Sequence, residues 1–171
     1  MADKIQEQVN DLLRSVKVRR PPVPVKEIAK AQGITIASVP ATDDISGALI
    51  RHKARAIIAV NTSQHSNRQR FTIAHELGHF FLHEGLDEHV DQNFRIAWRS
   101  LESSSAVNWL EIEANRFAAE LLMPGAFLRK DLDQLRQMDN HAVALLASRY
   151  RVSAEAMKFR LINLGVLPPY E

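Results

Sequence analysis

The residues best equipped for chemistry in this chain are His75, Glu76 and His79, in the run His75-Glu76-Leu77-Gly78-His79. On a helix, residues four apart share a face and lie about one turn from each other. Two imidazoles so placed can share one tetrahedral zinc ion at about 2.0–2.1 Å each. Glu76 adjoins the first histidine and faces the rim of such a site, where a carboxylate can take a proton from activated water. Phe71, Ile73, Phe80, Phe81 and Leu82 make the same helix strongly apolar, and an apolar helix is mostly buried. Burying two imidazoles and a carboxylate without partners is costly, and a metal ion removes that cost. Gly78 allows a second backbone or a substrate to come close. The chemistry these residues suit is metal-assisted hydrolysis of a peptide bond, with one zinc ion per chain.

A third ligand must come from elsewhere. The 171 residues include no cysteine, which excludes thiolate ligands, disulfides and a cysteine nucleophile. His83 continues the spacing of His79 but lies two turns from His75, too far along one straight helix. A downstream helix supplies Glu111, Glu113 and Glu120. Glu111 and Glu113 diverge by about 160° around that helix, so both cannot reach one ion. Ala114 and Ala118 permit close helix packing, which makes Glu113 the expected ligand and leaves Glu111 and Glu120 on the solvent face. Asn61 and Glu120 are candidates to orient the imidazoles from behind. His83, His89, Arg95 and Tyr150 are candidate donors to a developing oxyanion, with a packed structural role as the plain alternative for His83. His52, His65 and His141 read as surface or capping residues. Trp98 and Trp109 flank a serine-rich stretch and are expected to fill local cores.

The elements that must hold these side chains follow from periodicity and breakers. Ile5, Val9, Leu12, Leu13 and Val16 mark a helix over 3–19, stopped by Pro21 and Pro22. A second helix covers 24–32, between Pro24 and Gly33. Strands are expected at 34–39, 48–52 and 56–60, the last two joined so tightly that they form an antiparallel hairpin. A polar loop at 61–69 leads to the metal helix, 71–83. An edge strand over Asn93–Trp98 and a loop over 100–108 precede the glutamate helix, 110–122, which Pro124 ends. Helices at 126–137, 141–150 and 154–164 follow, with Asn140 and Ser153 as N-caps and Gly165 as a C-cap. The expected fold class is α+β, one domain over 1–171: a minimal zincin-like metallopeptidase core with a small, mainly antiparallel sheet packed on helices and a helical C-terminal region. Within it, 138–167 has the compact spacing of a helix-turn-helix.

Bulk properties narrow the function. The composition is 46% hydrophobic and 25% charged, as in a globular domain. With 22 basic and 20 acidic residues the formal charge is only +2; non-specific nucleic-acid binding would want a stronger positive excess, and the number neither demands nor excludes DNA. The N-terminus lacks the apolar run of a signal peptide, and no stretch approaches the roughly 18–20 apolar residues of a membrane helix, so a cytoplasmic location is expected.

Two stretches resemble the ImmA/IrrE-like family of small zinc metallopeptidases linked to phage-type and stress-response repressors. One is Arg70-Phe71-Thr72-Ile73-Ala74-His75-Glu76-Leu77-Gly78-His79, with Leu82-His83 after it. The other is Glu113-Ala114-Asn115-Arg116-Phe117-Ala118-Ala119-Glu120-Leu121-Leu122-Met123-Pro124. A weaker likeness covers roughly 24–167. The resemblance implies that His75, His79 and Glu113 bind zinc and that Glu76 is the general acid/base. It implies a protein substrate, a helix-turn-helix repressor encoded nearby. The chain ends at 171, so no appended sensor domain is expected.

The competing reading is a DNA-binding or protein-interaction regulator that keeps a structural metal site. Arg149, Arg151, Lys158 and Arg160 would then meet phosphates. Direct nucleic-acid binding is not expected, because Phe159, Leu161, Ile162, Leu164, Val166 and Leu167 crowd the last helix and its exit. Such a helix suits packing, or docking of a protein substrate, better than a major groove.

Overall fold

The computed structural model describes residues 4–52, 55–84, 88–92 and 106–169. Among them the chain runs α1 (Lys4–Ser15), α2 (Val25–Ala31), β1 (Ile34–Val39), β2 (Ile45–His52), β3 (Arg55–Asn61), α3 (Ser66–Leu82), β4 (Glu88–Gln92), α4 (Ala106–Leu122), α5 (Gly125–Leu132), α6 (Asn140–Tyr150) and α7 (Ala154–Asn163). This is the α+β class read from the sequence, with a small sheet and the metal-motif helix in a zincin-like core.

The four strands lie in the order β1-β3-β2-β4. Strands β2 and β3 form the expected antiparallel hairpin, with Leu49 opposite Ile58. β4 pairs antiparallel with β2. β1 pairs parallel with β3, Ile36 against Ile58. Two pairings of three are thus antiparallel. On β3 the side chains alternate, with Ala56, Ile58 and Val60 buried and Ile57 exposed, as a sheet covered on one face requires. The register of β2 shifts between Ile45 and Gly47. A Cβ on Gly47 would lie 2.7 Å from the carbonyl oxygen of Ala59 and would also strike Thr72 of α3. Glycine there lets α3 lie against the sheet.

Several boundaries differ from the sequence reading. Helix α3 begins at Ser66, inside the expected polar loop, because His65 serves as its N-cap: Nδ1 accepts from the backbone N–H of Asn67 at 3.2 Å. Helix α4 begins at Ala106, inside the expected serine-rich loop. The rest of that loop and the expected strand Asn93–Trp98 lie outside the described residues; the edge strand observed is β4. Helix α5 ends at Leu132, short of the expected 137. The N-cap of α6 is Asp139, whose carboxylate accepts from Ala142 at 2.8 Å, and Asn140 is the first helical residue. Ser153 caps α7 as expected, accepting from Ala156 at 3.0 Å. Gly165 follows its end at φ +72°, with Gly165 donating to Ile162 and Val166 to Leu161, both at 2.9 Å. That is a Schellman closure. Trp109 fills no core: it is 62% exposed on α4.

Contacts gather the chain into two compact units, residues 24–118 and residues 1–23 with 119–171. The first holds the sheet, α2, α3 and most of α4. In the second, Ile5, Val9, Leu12 and Leu13 of α1 are buried, as are Leu146, Met157 and Leu161 of α6 and α7. No described helix is long and apolar enough to cross a membrane.

Candidate metal centre

Helix α3 is buried continuously from Phe71 to His79. His75, Glu76 and His79 are each at most 1% exposed. The helix can be buried on all sides because α4 meets it at a glycine. A Cβ on Gly78 would lie 3.0 Å from both the Cα and the carbonyl oxygen of Ala114, and 3.2 Å from Cβ of Phe117. Phe81 stacks on Phe117 with centroids 5.8 Å apart. The C-terminal end of α3 is closed from the sheet. The Arg51 guanidinium donates to the carbonyl oxygens of His79 and His83 at 2.8 Å and of Phe80 at 2.9 Å. A cation there also opposes the negative end of the helix dipole.

Close packing brings a carboxylate to the two imidazoles. His75 Nε2 and His79 Nε2 lie 3.1 Å apart. The carboxylate of Glu111 is 3.3 Å from the first and 3.2 Å from the second. One ligand atom from each of the three residues falls within 4.8 Å of the others. Glu113, the sequence's choice for this place, points elsewhere: its Oε2 is 3.2 Å from Nε2 of His83. The divergence of the two glutamates around α4 is as expected, but the small residues beside Glu113 do not decide which one faces the histidines.

The outer nitrogens identify the tautomers. His75 Nδ1 lies 2.9 Å from Oδ1 of Asn115. An amide oxygen only accepts, so Nδ1 carries the proton and Nε2 keeps its lone pair. His79 Nδ1 lies 2.9 Å from Nδ1 of His83. His83 Nε2 faces a carboxylate, so it is the donor there and its Nδ1 accepts from His79. Both inner nitrogens then present lone pairs toward one another and toward a carboxylate. With those tautomers three electron-pair donors converge, an arrangement that suits a cation. A tetrahedral ion about 2.0–2.1 Å from each donor needs donor spacings of roughly 3.3–3.4 Å, close to those observed. The residues present therefore fit a small divalent metal.

The other residues singled out from the sequence have different engagements. Asn61 accepts from the backbone N–H groups of Ala41 and Ser63, and donates to the carbonyl oxygens of Ala41, Thr42 and Ile45. It ties down the loop between β1 and β2. Glu120 pairs with Arg160 and accepts from Gly125 N–H at 3.3 Å. Tyr150 donates to Asp131 at 2.8 Å, and burial pushes its phenol well above the ordinary range, helped by that carboxylate. His89 lies in β4, opposite Leu49. Arg95 lies outside the described residues. Arg160, a phosphate contact in the DNA-binding reading, is 8% exposed and donates to Met123 O at 3.1 Å as well as to Glu120.

The sequence reading set Glu111 on the solvent face, and Asn115 and Arg51 escaped it as parts of the site. A signal existed for the first two. Glu111 and Asn115 are four apart, the same spacing as His75 and His79, so two antiparallel or parallel faces of that period can mate. Arg51 left no local signal, since its partners are backbone atoms.

A small sheet beside a buried helix carrying two such histidines, with a carboxylate from a second helix, defines a zincin-like metallopeptidase core. The chain belongs to the family of the IrrE N-terminal-like domain, whose model matches residues 29–162, and so to a family of metallopeptidases. It is 27% identical over 120 residues to metallopeptidase ImmA of Bacillus subtilis (strain 168), a match covering 70% of this chain and 64% of that protein. It is 31% identical over 112 residues to the radiation response metalloprotease IrrE of Deinococcus radiodurans, covering 66% of this chain and 32% of that one. Its fold matches that of a Mycobacterium tuberculosis transcriptional regulator with a TM-score of 0.64 at 17% identity, over 92% of this chain and 46% of the other. The chain thus spans less than two thirds of each of these proteins.

Proposed function

We propose that this chain is a zinc-dependent endopeptidase, with His75, His79 and Glu111 holding the ion and Glu76 as general acid/base, and that its substrate is a DNA-binding transcriptional repressor. The observation that carries the reading is the convergence of two imidazole nitrogens and a carboxylate, with the fully buried Glu76 next to the first histidine in the chain. Zinc bound there would polarise the scissile carbonyl and make water acidic enough to attack it near neutral pH.

The chain's own residues supply the rest. Glu76 sits on the same helix as both histidines and is 0% exposed. Its carboxylate takes a proton from the attacking water and returns it to the amide nitrogen of the departing strand. Glu111 would neutralise part of the charge of a divalent ion held by it and the two histidines. Asn115 holds His75 in the tautomer that binds. A purely structural site would gain nothing from a fully buried acid next to its ligands, which favours the enzyme over a regulator with a structural metal.

A repressor as substrate rests on the resemblance, and on the names of the similar proteins: a radiation response metalloprotease and a transcriptional regulator. The burial of Arg160 supports reading α6 and α7 as a protein-facing or packing element rather than a DNA reader. Metal analysis of wild type beside Glu76→Gln tests the core of the proposal. About one zinc per chain is expected in both, with proteolysis reduced about 10²–10⁴-fold in the variant alone. Wild type purified without chelator and found free of metal would end the zinc assignment.

A further inference from the structure

Behind the metal-facing side of His79 stands a chain of polar groups that binding of an ion does not itself require. His83 is 6% exposed although it follows the last helical residue of α3. Its Nδ1 lies 2.9 Å from Nδ1 of His79 and its Nε2 lies 3.2 Å from Oε2 of Glu113. Its backbone N–H donates to the carbonyl oxygen of His79 at 3.1 Å, and its own carbonyl accepts from Arg51. The ring is therefore held between His79 and Glu113 of α4, and its backbone is held by α3 and by Arg51 of the sheet.

Resting on the metal-site reading above, we infer that His83 and Glu113 form a positioning relay that fixes His79 as its Nδ1–H tautomer. The sense of the relay is determined from its far end. A carboxylate accepts, so His83 places its proton on Nε2. Its Nδ1 then has only a lone pair to offer, and His79 must supply the proton between them. The lone pair of His79 is left on Nε2, facing His75 and Glu111. The negative charge of Glu113, passed through a polarisable ring, makes that nitrogen a better donor. Glu113 thus acts on the site from one residue further out than Glu111, and the two acids two residues apart on α4 have different duties. Asn115 gives His75 the corresponding support with one neutral amide, so the two imidazoles are held by groups of different charge.

The relay is tested without relying on activity. In ¹⁵N-labelled, metal-free wild type at about pH 8, long-range ¹H–¹⁵N correlation should show His79 protonated at Nδ1 and bare at Nε2, with His83 the reverse. His83→Leu should shift His79 toward a mixture of tautomers. Zinc affinity, measured by competition with a chromophoric chelator, should fall about 10–100-fold in His83→Leu and by a smaller factor in Glu113→Gln. His83→Gln, whose amide oxygen can accept the same proton, should recover part of the loss. Glu111→Gln gives the scale for losing a ligand outright. If Glu113→Gln loses as much affinity as Glu111→Gln, Glu113 is a ligand and the relay is overturned. A wild-type His79 carrying its proton on Nε2 overturns it too, as do variants with unchanged affinity. Wild type that shows the expected tautomers yet binds no zinc leaves the relay standing and removes the metal reading.

Discussion

Around each metal-facing imidazole the atom that matters is the one pointing away from the site. Nδ1 of His75 meets Asn115, and this contact favours the tautomer that leaves Nε2 bare. Asn115→Ala removes the acceptor while leaving the ligand set whole. The zinc dissociation constant, measured by chelator competition, is expected to rise about 10–100-fold, with the helical circular dichroism unchanged. An unaltered constant would mean that packing against Phe71, stacked 6.5 Å from the His75 ring, already orients the imidazole. The histidine pair and its neighbouring acid were legible in the sequence because their spacing and apolar setting conflict unless something binds. The choice between Glu111 and Glu113 was not. Both lie on one helix, and only the rotation of α4 about its own axis, set by tertiary contacts, presents one rather than the other.

At the level of elements, the hairpin of β2 and β3 was legible because its connection is too short for anything else. The parallel pairing of β1 was not, since alternation says which face is buried and nothing about the neighbour. The early start of α3 was hidden by its polar first turn, where capping by His65 rather than an apolar stripe makes the helix. Gly78 is the element-scale feature with the largest leverage. Replacing it with alanine gains about 1 kcal/mol of helix propensity and loses about 1–3 kcal/mol to overpacking, because α3 and α4 must part by a few tenths of an ångström. Net stability is therefore expected to change little, within about 2 kcal/mol, while zinc affinity falls; a urea titration and a metal titration on the same sample separate the two. The double variant Gly78→Ala/Ala114→Gly should do no better, because the obstructing atoms are the Cα and carbonyl oxygen of residue 114, which glycine retains. Recovery in the double variant would show that the side chain sets the spacing.

For the molecule as a whole, pH reads the buried phenol. Tyr150 has its proton held by burial and by Asp131, so its folded value lies above the ordinary one. Below about pH 10 folded and unfolded chains both keep the proton, and its contribution is fully present. Above that the unfolded chain releases it first, so stability falls as pH rises. Urea midpoints of wild type and Tyr150→Phe, followed from pH 7 to 11, should converge on the alkaline side. The variant is expected to be about 0.5–1.5 kcal/mol less stable at pH 7, having lost the bond to Asp131. A constant gap across the whole range would mean that Tyr150 ionises as freely in the folded protein.

One of the two compact units is continuous in the chain, 24–118, and the other is assembled from both flanks, 1–23 and 119–171. The flanks can meet only once the stretch between them has closed into a loop, and closure entropy is smaller for a compact insert than for a floppy one. The order of events in folding follows: the continuous unit, which carries His75, His79 and Glu111, should become protected first, and the assembled unit should wait for it. Pulse-labelled hydrogen exchange during refolding would show amides of β3 and α3 protected before those of α1 and α7. Simultaneous protection of all four would mean that the flanks find each other without help. In that sequence the metal centre matures before the rest of the polypeptide, so the availability of an ion during synthesis would bear on how much of the protein ever reaches its final form.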